Sequence, residues 1–140
     1  MVESVERSQA LFGEKAVALS RLRKLAIECG QENWDGNDAN AVDSLAVAMA
    51  EDFIRALPES VPLPDFAPEP DGAISLDWSE SRSRIFSLSI GNSFRLPYAW
   101  LDGADKGHGV ARFDGVAVPK KILEGIAAIL PYEPAKLRAA

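Results

Sequence analysis

The chain is poor in the residues that usually carry chemistry. It has one cysteine, Cys29, and one histidine, His108. A lone thiol cannot close an intrachain disulfide, which removes the usual staple of small secreted domains and suits a reducing compartment. A lone histidine excludes every mechanism that needs two. No stretch approaches the ~18 consecutive apolar residues of a bilayer-spanning helix. The amino-terminal segment carries Glu3 and Glu6 and no apolar run, so it does not read as a signal peptide. Phosphate-binding glycine loops, dinucleotide fingerprints, Gly-x-Ser-x-Gly elbows and zinc-like ligand spacings are all missing. The expectation is a cytoplasmic protein with no membrane segment, no metal and no cofactor.

What is present is an ordinary globular balance. The 140 residues are 47% hydrophobic and 26% charged, which suits one domain over residues 1–140 with a real core. Twenty-one acidic against fifteen basic side chains give a net charge of −6. That excess opposes non-specific attraction to phosphate backbones, so nucleic acid is not the expected partner.

The apolar pattern changes period along the chain. From Ser4 to Cys29 the residues Val5, Phe12, Ala16, Leu19, Leu22, Ala26 and Cys29 recur at helical spacing, and Gly30 is placed to end the helix in a left-handed turn. A second helix is expected from Ala39 to Leu57, with Val42, Leu45, Ala46, Met49, Phe53 and Leu57 on one face and Pro58 as its stop. Between them Asn33-Trp34-Asp35-Gly36-Asn37-Asp38 is rich in turn formers, with Asp35, Asn37 and Asp38 expected to cap the second helix and Trp34 to enter the core. Prolines 58, 62, 64, 68 and 70 make 58–70 an extended strap across the domain, a reading preferred to a linker because Val61, Leu63 and Phe66 offer side chains to bury.

After Pro70-Asp71-Gly72 the period becomes two. Strands are expected at Ile74–Trp78, Arg84–Ile90 and Phe94–Trp100, with a shorter fourth at Gly109–Phe113. Pro97 cannot donate to a ladder, so its strand should lie at an edge or bulge there. A closing helix is expected from Pro119 to Leu130, followed by a flexible tail, 131–140. The predicted architecture is α+β in two layers: two N-terminal helices, the strap, an antiparallel meander of three to four strands, and a C-terminal helix.

Each candidate for chemistry has a plainer explanation. His108, with Asp102 and Asp105 nearby, could act as a general base or metal ligand; equally, it could be a turn histidine bonded to backbone. Asp35, Asn37 and Asp38 suggest a calcium loop, but the twelfth position, which needs a glutamate, is Ala46. Asp71 and Asp77 suggest a magnesium nuclease site, but the basic residue expected two positions on is Ser79. Cys29 lies on the apolar stripe of its helix, which favours packing over reactivity. Trp34, Trp78, Trp100, Phe86, Phe94 and Tyr98 could build an aromatic platform, yet only Arg82, Arg84, Arg95 and Arg112 accompany them, so a core role is favoured for most.

Asn33-Trp34-Asp35-Gly36-x-x-Ala39, Leu57-Pro58-x-x-x-Pro62-x-Pro64 and Pro70-Asp71-Gly72-x-Ile74-x-Leu76-x-Trp78 together resemble a group of small bacterial proteins. Tyr98-Ala99-x-Leu101, His108-Gly109 and Phe113-Asp114-Gly115 are similar to its later signature. The resemblance implies a bacterial, cytoplasmic, single-domain protein, often from a mobile-element or accessory-gene setting, and brings no catalytic residues with it. The leading expectation is a non-enzymatic protein-binding module, of the antitoxin, immunity or adaptor kind, using an acidic surface at Asp77, Glu80 and Asp102 and a sheet edge near Pro97. The alternative is a small enzyme using His108 with Asp102, Asp105 or Asp35. Monomer and homodimer both remain open.

Overall fold

The structure, a computed structural model, describes residues 2–131, with side chains from Gly13 onward. The side chains of the stripe residues Val5 and Phe12 and the tail from residue 132 therefore lie outside what is described. Helix α1 runs Val2–Glu28 and α2 runs Ser44–Ala56. The strands are β1 (Asp65–Pro68), β2 (Ile74–Ser81), β3 (Arg84–Ile90), β4 (Arg95–Asp102) and β5 (Asp105–Arg112), and α3 (Lys120–Ile129) closes the chain. All five strands pair with their sequence neighbours, antiparallel, in the order β1-β2-β3-β4-β5. The class is α+β as expected, but the meander has five strands rather than three to four.

The extra strand comes from the proline-rich segment. Phe66 and Pro68 pair with Leu76 and Ile74, so part of the strap is an edge strand. Proline is tolerated there because an edge strand has one side that needs no donor. The β1–β2 turn, Pro70-Asp71-Gly72, puts Gly72 at φ +96°, with Gly72 N–H bonded to Glu69 O at 3.0 Å and Asp71 accepting from Ala73 N–H. That is a three-residue loop with a left-handed glycine in its last position.

Alternation decides which sheet face is dry. Ile74, Leu76 and Trp78, then Phe86, Leu88 and Ile90, then Leu96 are buried, and the helices pack against them. Burying side chains of this size is worth about 1.5–3 kcal/mol each, so this inner face supplies most of the cohesion. Phe53 of α2 meets Trp78 and Phe113 edge-on, with ring centroids 6.3 and 5.6 Å apart, and Trp78 in turn meets Phe86 at 6.0 Å. The Trp78 indole N–H donates to Pro62 O, tying the strap to the core.

Two helix expectations need correction. Helix α2 begins five residues later than expected, at Ser44, capped by Asp43, whose carboxylate accepts from Leu45 N–H. The preceding residues are extended because their N–H groups are engaged elsewhere: Asn40 with Pro70 O, Val42 with Cys29 O and Asp43 with Gly72 O. Leu45 is consequently 60% exposed, while Ala50 and Ile54 take the inner face. On α1, Ala18 and Leu25 replace the exposed Ala16 in the packed stripe. Gly30 does not adopt positive φ. It is needed instead for close approach, since a Cβ there would lie 2.6 Å from Ala26 O.

Asp35, Asn37 and Asp38 do not cap α2. They close their own loop, Asp35 accepting from Asn37 and Ala39 N–H, with Asn33 and Asp38 at φ +62° and +63°. Trp34 is half-buried rather than in the core, and its indole donates to Asn40 O at 2.8 Å.

Candidate interaction surface

The chain makes a tight turn at Asp102-Gly103-Ala104-Asp105, with Gly103 at φ +66° in its first central position. This turn extends the last strand to eight residues from the five expected. It also fixes which backbone groups point where. Gly103 N–H donates to Ser83 O and Phe113 N–H to Phe94 O. Backbone groups alternate sides along a strand, so odd residues of β4 face β3 and odd residues of β5 face β4. Lys106, His108, Val110 and Arg112 therefore direct their N–H and C=O groups outward, away from the sheet.

The same alternation accounts for Pro97. Its nitrogen faces β3 and can donate no bond there, and the β3–β4 ladder ends one pair earlier, at Leu88↔Tyr98. Pro97 marks a local edge inside the sheet; the true edge is β5, one strand further on.

Glycine shapes that edge. Gly107 lies opposite Trp100 and Gly109 opposite Tyr98. A Cβ at Gly107 would fall 2.5 Å from Trp100 Cζ2, and one at Gly109 would fall 2.6 Å from the Tyr98 hydroxyl oxygen. Both rings thus lie over β5 on the inner face, where they stand in for the missing side chains. Unlike those of Trp34 and Trp78, the Trp100 indole N–H has no hydrogen-bond partner among the described residues.

Among the described residues no helix lies on the outer sheet face, which carries opposite charges at its two sides. Asp65 and Asp77 are Cα partners on β1 and β2, and Arg95 and Arg112 are Cα partners on β4 and β5. Between them Ile85 pairs with Leu101 and Pro97 with Val110, the latter 46% exposed. Arg95, Arg112 and Lys106 have no acidic partner among the described residues, although like charges directly opposite are destabilising.

The catalytic group of the alternative reading, His108 with Asp102, Asp105 or Asp35, is not assembled. His108 is exposed on the outer face, while Asp102 and Asp105 belong to the inner-face register of their strands. The shallow concavity containing His108 is lined by Ile85, Ser87, Ala99, Leu101 and Lys106, with no carboxylate. Asp35 is occupied in its own loop. Among the described residues no three metal-ligating side chains cluster. Cys29 is half-buried, and burial, with a smaller contribution from Glu28, pushes its thiol pKa up, away from reactivity.

The expected acidic surface is divided. Glu80 and Asp102 both bind Arg84, whose guanidinium also donates to Ala128 O, at the last turn of α3, at 2.8 Å. Only Asp77 is free of a cation, its carboxylate accepting from Ser75 Oγ. The four arginines do not share a face either. Arg84 is held in this cluster, Arg82 lies in the β2–β3 turn, and Arg95 and Arg112 lie on the outer face. The sequence reading missed the β5 edge; the signal was Gly103 as the first central residue of a two-residue hairpin turn. No helix among the described residues is long and apolar enough to cross a membrane. The chain matches no protein-family model, no curated protein and no solved structure.

Proposed function

We propose that this chain is a non-enzymatic protein-binding module, of the antitoxin, immunity or adaptor kind, acting in the cytoplasm of a bacterial cell. The observation that carries the reading is the contrast between the two sheet edges. Strand β1 is four residues long, contains Pro68 and is packed by α1. These are the means by which proteins blunt an edge. Strand β5 is eight residues long and contains neither proline nor bulge. Among the described residues its backbone makes no bond to any element other than β4, and of its outward N–H groups only that of Lys106 is engaged, by the Asp105 carboxylate at 3.0 Å. An open edge of that length is a template for strand addition. The enzyme alternative gains no support, since His108 and its candidate carboxylates lie on opposite faces.

The test compares tagged wild-type protein with Val110→Pro, recovered from the native host and analysed by quantitative mass spectrometry. Proline at Val110 removes an outward N–H and leaves the β4 ladder whole. A stoichiometric partner present with wild type and lost with the variant supports the reading. Recovery of the wild-type protein alone would retire it.

A further inference from the structure

Resting on the binding-module reading, we infer that β5 takes as its partner an extended segment of another protein in which acidic residues alternate with apolar ones. The two sides of such a strand would meet different surroundings. Lys106, His108, Val110 and Arg112 supply the outward backbone groups, and their side chains all project from the outer face. A strand hydrogen-bonded to them places every second side chain beside Lys106, His108 and Arg112, with Arg95 directly behind Arg112. Acidic residues at those positions would neutralise Lys106 and Arg112, which have no acidic partner among the described residues. The intervening side chains fall on the inner face next to Gly107 and Gly109, where the rings of Trp100 and Tyr98 already lie over the edge. Apolar residues fit there, against the faces of those rings.

Charge also decides against the two nearest competitors. In a second copy paired antiparallel through β5, outer residues meet outer residues, so Lys106 and Arg112 of both chains share one strip. Like charges opposed in this way disfavour the pairing. A nucleic acid would meet the cations but leave the outward N–H and C=O groups unpaired, and the net charge of −6 opposes its approach.

The test uses the full chain and end-blocked peptides matching the eight residues of β5 in length. One alternates glutamate with valine; in the others lysine or threonine replaces glutamate. Binding is followed by NMR hydrogen exchange. The glutamate peptide is expected to protect the amides of His108, Val110 and Arg112, while those of Gly107 and Gly109, already bonded to β4, and of Lys106, already bonded to Asp105, change little. The lysine peptide should bind at least about tenfold more weakly, as should the glutamate peptide to Val110→Pro or to Lys106→Glu/Arg112→Glu. The charge-reversal variant guards against loss of fold in the proline variant. Equal binding of all three peptides would overturn the acidic assignment and leave the binding-module reading standing. The inference also fails if no peptide protects the outward amides, or if they are protected only by self-association or by a single-stranded oligonucleotide. A cellular partner that tolerates Val110→Pro would refute occupation of this edge without refuting the module, whereas peptide binding with no cellular partner recovered would do the opposite.

Discussion

Replacing Gly125 by alanine sets two effects of known size against each other. Glycine inside a helix is about 0.8–1.0 kcal/mol worse than alanine, so propensity alone makes Gly125→Ala stabilising. Gly125 lies in α3 on the side facing the sheet, and a Cβ there would lie 2.3 Å from Phe86 Cε2. Carbon atoms rest about 3.5–4.0 Å apart, so the ring would have to retreat by about 1.5 Å. It has nowhere to go. Phe86 is fully buried, meets Trp78 at 6.0 Å on one side and stacks on Tyr98 at 5.6 Å on the other. Overpacking of this kind costs about 1–3 kcal/mol, which exceeds the propensity gain.

The net expectation is a loss of about 1 kcal/mol, or about 4 °C in Tm for a chain of this length. Gly13→Ala in α1 is the matched control, because a Cβ there meets nothing within 4 Å. It should gain close to the full propensity value of about 1 kcal/mol. Urea denaturation followed by circular dichroism measures both. A double-mutant cycle with Phe86→Leu should show favourable coupling, since the smaller side chain makes room for the new methyl. If Gly125→Ala stabilised as much as Gly13→Ala, the packing of α3 on Phe86 described here would be wrong.

Arg84→Ala should lower stability by about 1–2 kcal/mol, because two exposed ion pairs at about 0.2–1 kcal/mol each and a bond to the end of α3 are lost together. The Tm difference from wild type should shrink in about 1 M salt, and a difference independent of salt would refute an electrostatic role. Asp114 accepts from Ala117 and Val116 N–H, both at 2.8 Å, and those bonds hold its carboxyl below the usual value of 3.8. A lowered folded-state pKa stabilises above the unfolded pKa and is lost as pH falls through the folded value. Wild type should therefore melt above Asp114→Ala near neutral pH, and the gap should close below about pH 4 in pH-dependent calorimetry. Asp77→Lys should leave binding of the glutamate peptide unchanged in a titration at physiological salt. Asp77 stands three strands from His108, about 14 Å away and beyond the Debye length of about 8 Å.

Strands β2 and β3 were legible because both are continuous alternations in which serine marks the wet side, and β3 has the bounds expected. The start of α2 was not, because Ala39 and Val42 are buried through extended backbone bonded to Pro70 and Gly72, partners thirty residues away that local periodicity cannot register. Strand β1 was hidden by its prolines, which suit an isolated extended strap as well as a sheet edge. Strand β5 looked short because Gly107 and Gly109 occupy the positions where an apolar alternation would appear. Their inner face is covered by side chains from β4, so the pattern belongs to a pair of strands and is invisible in either alone. The exclusion of His108 from its carboxylates followed from register as well: residues three apart on one strand face opposite ways.

The distribution of charge explains why an acidic sequence leads to a basic candidate surface. A count of ionisable residues treats Glu80 and Asp102 as free acids, and on that basis they are natural contacts for a partner. In the fold they close on Arg84 at the end of α3, where one guanidinium answers two carboxylates and a helix-end carbonyl. Reversing either charge would weaken the junction between sheet and helix, so a loss of binding there would report on stability first. Arg95, Lys106 and Arg112 are fewer than the acids, yet they gather on β4 and β5 with no acidic partner among the described residues. They also stand beside backbone groups that a new strand could satisfy. Salt screens net charge beyond about a Debye length, so at contact the local unpaired charge matters, and among the described residues it is positive along the open edge.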